Sequence, residues 1–342
     1  MDNTDYALNR NALVTEVLEQ IGAIEAGDTP SSDDIDSISR TLNMLLKHWQ
    51  GPWSGINIYA VRETFLFLRD GIAKYDQLDY NGETGLDVDR NHIYVSDYEK
   101  KAFTDIATAA TTVEIDEAFE TGGAVDSAVA GDVIGIPLED GTVHWAEITA
   151  VGSSGDYAKS FDFDNHALPS DADDTKDLIV GITYPGRPLK ILDISLRDIF
   201  TDNERYLGIP LAPSDYNKLS NKTATTGVNH VMYNRETTTG DLRTWGTVDN
   251  DNYVLVMWAA LPLQDIDSDL SLNTNEGIPQ EYYMAVMYSL CEAVMNKYDP
   301  PIEKRRDIAR LASLYRDEAL SFDTEDYIKF EPEVDYSRNS RR

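Results

Sequence analysis

A single cysteine, Cys291, serves all 342 residues of the chain. It can close no intramolecular disulfide and anchor no cysteine-based metal site. Its setting, Met287-Tyr288-Ser289-Leu290-Cys291-Glu292-Ala293-Val294, has helical spacing and marks it as a small core residue. Basic residues are scarce: 29 Lys and Arg stand against 61 Asp and Glu, a formal net charge of −32. Duplex affinity rests on neutralising phosphates with cations, so general nucleic-acid binding is disfavoured. His48, His92, His144 and His230 are scattered singly, with no Cys or carboxylate at ligand spacing. No run approaches the ~18 apolar residues of a membrane span. The stretch Met1-Asp2-Asn3-Thr4-Asp5 lacks the basic start of a signal peptide, so the expectation is a soluble protein made in the cytoplasm. Also missing are Gly-x-x-x-x-Gly-Lys-Ser/Thr, Gly-x-Gly-x-x-Gly and Gly-x-Ser-x-Gly, hence any phosphate cradle or nucleophile elbow of those kinds.

What is present is unevenly distributed. Residues 79–182 hold 23 Asp and Glu against 5 Lys and Arg. On either side, helical patterns dominate. Leu13, Val17, Leu18 and Ile21 form one stripe, stopped by Gly22. A second helix begins at Ser31 or Ser32, with Asp33 and Asp34 in its first turn where the dipole favours carboxylates. Its stripe is Ile35, Ile38, Leu42, Leu45, Leu46 and Trp49, and it breaks at Gly51-Pro52. Ile56–Leu68 reads as a strand. Two helices are expected near the other end, Gln280–Tyr298 opened by Pro279 and Ile302–Leu320 after Pro300-Pro301.

Within the acidic stretch, Asp132–Leu138 and Val143–Val151 flank Glu139-Asp140-Gly141-Thr142. Asp-Gly between apolar runs is the strongest short-range hairpin signal. Ala167–Asp177 reads as a polar loop and Leu178–Ile182 as a closing strand. Further on, Arg187–Ile194, Asn229–Tyr233 and Tyr253–Ala259 read as strands, and Ser214–Leu219 as a short helix capped by Ser214. The fold class expected is therefore α+β: a discontinuous helical core, 1–78 with 183–320, carrying a few strands. An acidic β-barrel or sandwich at 79–182 interrupts it, and 321–342 forms a tail. Excision of about 85–180 should then leave a folded core.

Candidate chemistry is thin. Asp265-Ile266-Asp267-Ser268-Asp269-Leu270 with Glu276 matches calcium-loop positions one, three, five and twelve, but Leu270 stands where the sharp turn needs Gly. A solvated loop is the better reading. Asp162-Phe163-Asp164-Asn165-His166 offers oxygens and an imidazole without a second cluster, and reads as a polar turn. Lys304, Arg305, Arg306, Arg310 and Arg316 are partly balanced by Glu303, Asp307, Asp317 and Glu318, as on a solvated helix face. No catalytic, metal or cofactor residue is assigned. The tail is the exception to this blandness. Phe322, Tyr327, Ile328, Phe330 and Tyr336 are large anchors in a stretch with no sustained apolar period, and Arg338, Arg341 and Arg342 follow.

The outer parts resemble the head-to-tail adaptor proteins of short-tailed bacteriophages, also called tail accessory factors or packaged-DNA stabilisation proteins. The resemblance rests on the order of short motifs. Leu45-Leu46-Lys47-His48-Trp49-Gln50 closes a helix pair, and Phe65-Leu66-Phe67-Leu68, Gly71 and Tyr75-Asp76-Gln77-Leu78 follow. Arg187-Pro188-Leu189-Lys190-Ile191 resumes the core. Asp215-Tyr216-Asn217-Lys218-Leu219 with Lys222, then Tyr253-Val254-Leu255-Val256-Met257-Trp258 with Pro262, come next. Ile278-Pro279-Gln280-Glu281-Tyr282-Tyr283 resembles the family's Pro-x-Glu-Trp helix start, with Tyr282 where Trp is usual. The resemblance implies a non-enzymatic virion protein at the portal vertex. Twelve copies would form a ring that docks to the portal protein, extends the DNA channel, helps retain packaged DNA and carries tail nozzle or fibre proteins. DNA would pass without sequence-specific binding, and no membrane is involved. The tail residues named above would bind the portal. The rival readings are a peptidoglycan hydrolase of the virion, built on a carboxylate pair, and a ring or collar protein lower in the tail.

Overall fold

The computed structural model describes residues 8–51, 56, 58–76, 93–103, 107, 109–115, 124–152, 159–163, 168, 170–173, 175–183, 187–235, 240–263, 266, 278 and 280–322. In chain order the elements are α1 (Arg10–Ile21), α2 (Ser32–Trp49), β1 (Ala60–Phe67), β2 (Lys74–Asp76), β3 (Ile93–Lys101) and β4 (Thr112–Ile115). Then come α3 (Ala124–Ser127), β5 (Val133–Pro137), β6 (Val143–Gly152), β7 (Lys159–Phe163), β8 (Leu178–Thr183), β9 (Lys190–Asp198) and β10 (Glu204–Gly208). The chain continues with α4 (Pro213–Lys218), β11 (His230–Arg235), β12 (Gly240–Trp245), β13 (Tyr253–Leu261), α5 (Tyr283–Tyr298) and α6 (Ile302–Phe322). They fall into two compact units, one of residues 1–58 and 263–342, the other of residues 59–262.

The first unit joins helices from the two ends of the chain. Asn9 caps α1 by accepting from the Ala12 N–H, and Gly22 ends it in the left-handed region that glycine enters without a Cβ penalty. Ser31 caps α2 and accepts from the Asp34 N–H. The stripes these helices bury meet α5 and α6 in one core that includes Leu13, Val17, Leu42, Trp49, Val286, Leu290 and Ile308. Ile56 and Ile58, which the sequence pattern places in a strand, belong to this helical core, and β1 starts only at Ala60.

The second unit overturns the expected helical core with a small β insertion. Its main feature is a ten-stranded antiparallel sheet in the order β10-β9-β13-β1-β3-β8-β5-β6-β7-β4. β1, β9 and β13, assigned above to the helical core, are members of it. The acidic stretch is hydrogen-bonded straight onto them through β1 and β3, with Phe65 opposite Val95 and Leu66 opposite Tyr94. The cause is that apolar alternation marks a strand but does not name its partner. The compact units consequently divide at 58/59 and 262/263 rather than at 78/79 and 182/183.

From β3 to β4 the sheet curls on itself. Phe103, just past β3, bridges Ile115 of β4 and joins the two ends of a six-stranded barrel. Its interior is filled by Val113, Ile134, Ile148, Phe161, Leu178 and Val180, all buried. The Asp140-Gly141 hairpin forms as its sequence indicates, with Gly141 at φ 87° and β5 paired to β6. β1 alternates cleanly: Leu66 faces a core shared with the second sheet, β11-β12-β2, while Phe65 and Phe67 face Val95, Val133 and Trp145. α4 is one residue longer at its start than its sequence suggests. Pro213 opens it, and Ala212, not Ser214, occupies the cap position without a side-chain bond.

Candidate functional site

The metal readings gain nothing from the fold. Among the described residues, no group of three or more His, Cys, Asp or Glu is placed to hold an ion. Of the calcium-like stretch only Ile266 is described, and its N–H donates to Asn43 Oδ1 at 3.0 Å. Asp265, Asp267, Asp269 and Glu276 lie outside the described residues. Asp162 sits on β7 and accepts from the Thr112 hydroxyl of the neighbouring strand at 2.7 Å. Asp164 and His166 lie outside. His144 is buried beside Phe163 in the barrel, and His230 stacks on Trp245 across β11 and β12 with centroids 5.6 Å apart. His48 is exposed on α2, and His92 is outside the described residues.

Cys291 is a core residue, fully buried, its thiol pointing at the Val17 carbonyl. Burial, with Glu16 adding a smaller push, raises its pKa to about 12. A thiol held neutral in this way is a poor nucleophile. Two members of the basic run of α6 are tied into local structure. Arg316 bonds Glu292 of α5 at 2.7 Å, and Arg305 bonds Asp299 and the Pro300 carbonyl.

A grooved surface of the helical unit lies over the first half of α5. A 3-10 turn, Gln280–Tyr282, leads into this helix, and Tyr282 and Tyr283 turn inward. Met284 instead points out and is 43 % exposed, unusual for a large apolar side chain between two other helices. On one side of it, α1 and α5 bound a groove of ≈ 370 Å³ lined by Leu8, Ala12, Leu13, Met287 and Tyr288, with Glu16 and Gln20 at its edge. On the other side α5 and the end of α6 bound a second groove of ≈ 220 Å³, with Tyr315 and Ala319 within it and Glu281 and Glu318 at its edge. Tyr288 and Tyr315 stack at 5.1 Å and 17°, which fixes α6 against α5 beneath the groove. Among the described residues, no Lys, Arg or His lines either groove.

Of the proposed portal-binding residues, Phe322 is the last residue of α6. Tyr327, Ile328, Phe330, Tyr336, Arg338, Arg341 and Arg342 lie outside the described residues. The structure therefore brings the start of the tail to the grooved side of α5 and α6. Sequence reasoning missed the groove because Met284 fits the apolar helical period as well as any core residue. Only the Met284-Met287-Tyr288 cluster hinted at an adaptable face.

The sheet unit carries exposed aromatic side chains of its own. Trp258 on β13 is 49 % exposed and lies opposite Glu63 of β1 and Asp193 of β9. Tyr206, on the edge strand β10, is bonded to the same Asp193, and this bond raises its pKa. The resemblance singled out Trp258 as part of an aromatic strand, but its exposure was not legible. No family model and no curated protein matches the chain.

Proposed function

We propose that the chain is the subunit of a non-enzymatic connector ring at the portal vertex of a short-tailed phage. One observation supports this reading above the others. A helix pair from the start of the sequence and a helix pair from its far end share one core, and a sheet unit is set between them. This is the order in which the adaptor-like motifs occur, from Leu45–Gln50 to Ile278–Tyr283. In the assembled particle twelve copies surround the DNA, the residues from Phe322 to Arg342 reach the portal protein, and tail proteins mount on the far side. A net charge of −32 per chain suits a conduit that must not grip phosphates. Rings of identical subunits need heterologous contacts, for which an exposed Trp258 and an edge strand β10 are suitable material.

The reading is tested with purified protein and the portal protein of the same virus. Negative-stain images should show twelve-fold rings on the portal, while mass photometry at low salt should show monomers or small oligomers without it. Deleting Phe322–Arg342 should abolish stable docking. Complete rings formed by the truncated chain at native affinity would place the docking surface elsewhere.

A further inference from the structure

One face of the ten-stranded sheet passes from core to surface within the length of β13. Phe65 and Phe67 of β1 and Val254 and Val256 of β13 are buried on it, yet Trp258, two residues past Val256, is 49 % exposed. Val61, on the same face one cross-strand row further along β1, is 45 % exposed, and Tyr206 of β10 is 66 % exposed. We propose that this face is the docking site of an arginine side chain carried by a protein of different sequence, with the guanidinium laid on the Trp258 indole between Glu63 and Asp193.

The first support is register. Glu63 and Asp193 are the direct cross-strand partners of Trp258, one on β1 and the other on β9. Directly opposite side chains stand about 5 Å apart at Cβ, so the indole has a carboxylate on each side. The second is charge. Among the described residues, neither carboxylate is paired with a Lys or Arg, and Arg197 on the same face is bonded to Glu204 and Tyr98. Lys190, opposite Ala260 in the row beyond Trp258, is bonded to neither. Asp193 is held in place by the Ile194 N–H at 3.0 Å and by the Tyr206 hydroxyl, which leaves it further lone pairs for a charged donor. The third is the aromatic surface itself. A tryptophan face attracts cations, and a planar guanidinium both stacks on it and forks towards carboxylates, which an ammonium does not.

The same features select the kind of molecule that brings the arginine. Carboxylates repel phosphates, so the face does not suit nucleic acid. With Trp258 and Tyr206 this open, a small guanidinium compound would bury little of itself, whereas a peptide segment gains apolar contact with Val61 and Tyr206. A second copy would bring its own net charge of −32. The proposal does not rest on the ring reading. If it holds, contacts between identical subunits fall to β10 and to surfaces other than this face.

The experiment uses the full chain labelled with 5-fluorotryptophan, the Trp258 signal being assigned by its loss in Trp258→Phe. The probe is acetyl-Leu-Arg-Leu-amide at low ionic strength, where exposed charge pairs are least screened. It should shift the Trp258 signal, while the uncharged citrulline peptide of the same shape leaves it in place. The double variant Glu63→Gln, Asp193→Asn should weaken binding about fivefold, and Lys190→Glu should strengthen it about twofold. Exchanging both leucines of the probe for glycine should weaken it about threefold. Lys190→Glu alters an exposed side chain and keeps the test valid if the double variant unfolds. No shift, an equal shift with citrulline, an affinity unchanged by Lys190→Glu, or equal binding of the glycine-flanked probe would each overturn the proposal. A Trp258 signal that moves with protein concentration alone, on a species of dimer mass or larger, would give the face to a second copy. That result would also overturn the proposal while leaving the ring reading intact.

Discussion

The Cys291 thiol is buried, and burial raises its pKa from an ordinary value near 9 to about 12. The unfolded chain therefore gives up this proton at a lower pH than the native one. The associated stability is fully present below pH 9 and is lost as pH rises towards 12, by up to about 1.4 kcal/mol per pH unit. Tyr233 and Tyr298, each raised by burial to about 12, add to the same alkaline loss. Denaturant titrations between pH 8 and 11 should show stability falling above pH 9, less steeply in Cys291→Ala. At pH 8 the native thiol should react with a disulfide reagent only at the rate of unfolding. Modification within seconds would show that the helical core is open there. Asp34 behaves in the opposite sense. Its carboxylate accepts from the Ser31 hydroxyl at 2.6 Å and the Tyr298 hydroxyl at 2.7 Å, and these bonds hold it below the usual range. Their contribution is present above that range and lost as pH falls through it. Ser31→Ala removes both the cap of α2 and one of these bonds, and should cost about 1 kcal/mol by thermal or urea unfolding. An unchanged midpoint would mean that water replaces the cap in full.

At the scale of elements, the barrel is the most sensitive part of the sheet unit. A Cβ on Gly135 of β5 would lie 2.8 Å from the Trp145 ring, which itself packs on Phe67 at 4.5 Å. Gly135→Ala must therefore move a buried indole, and should cost roughly 1–3 kcal/mol as overpacking does. Phe161→Ala, inside the barrel, should cost about 3–5 kcal/mol. Urea unfolding of both variants checks the order, Phe161→Ala below Gly135→Ala below the parent. The sequence showed these elements unequally. The hairpin around Asp140-Gly141 was legible because turn and alternation are local. β12 was not, because Asp241 and Arg243 break its apolar pattern: Asp241 is buried and its charge is met by Arg243 at 2.8 Å. β10, Glu204-Arg205-Tyr206-Leu207-Gly208, is an exposed edge with no buried face to advertise it. The pairing of β1 with β3 was invisible, since register lies between strands. The tail anchors were readable as odd aromatics, but the groove at α5 needed the third dimension.

For the whole molecule, the corrected boundaries change which deletion leaves a folded remainder. Removing about 85–180, the cut suggested by composition, would strip β3, β5, β6 and β8 from β1 and expose Phe65 and Phe67. That chain should aggregate. Removing 59–262 instead, with a short Gly/Ser joint between Ile58 and Leu263, leaves the core of α1, α2, α5 and α6 whole. It should give a monomeric helical protein with a cooperative melt by circular dichroism. A soluble product from the first cut, or a molten one from the second, would reverse the assignment of units.

The joining of the two ends in one helical core also bears on synthesis. α1 and α2 leave the ribosome first, yet the helix that covers their apolar stripes, α5, is translated only after the whole of residues 59–262. At several residues per second, that interval lasts from about ten seconds to most of a minute. During it, Leu13, Val17, Leu18 and Leu42 have no permanent partner, while the sheet unit can already close. The nascent chain thus carries a waiting, sticky helix pair through most of its elongation, and every premature stop before Tyr283 releases it uncovered.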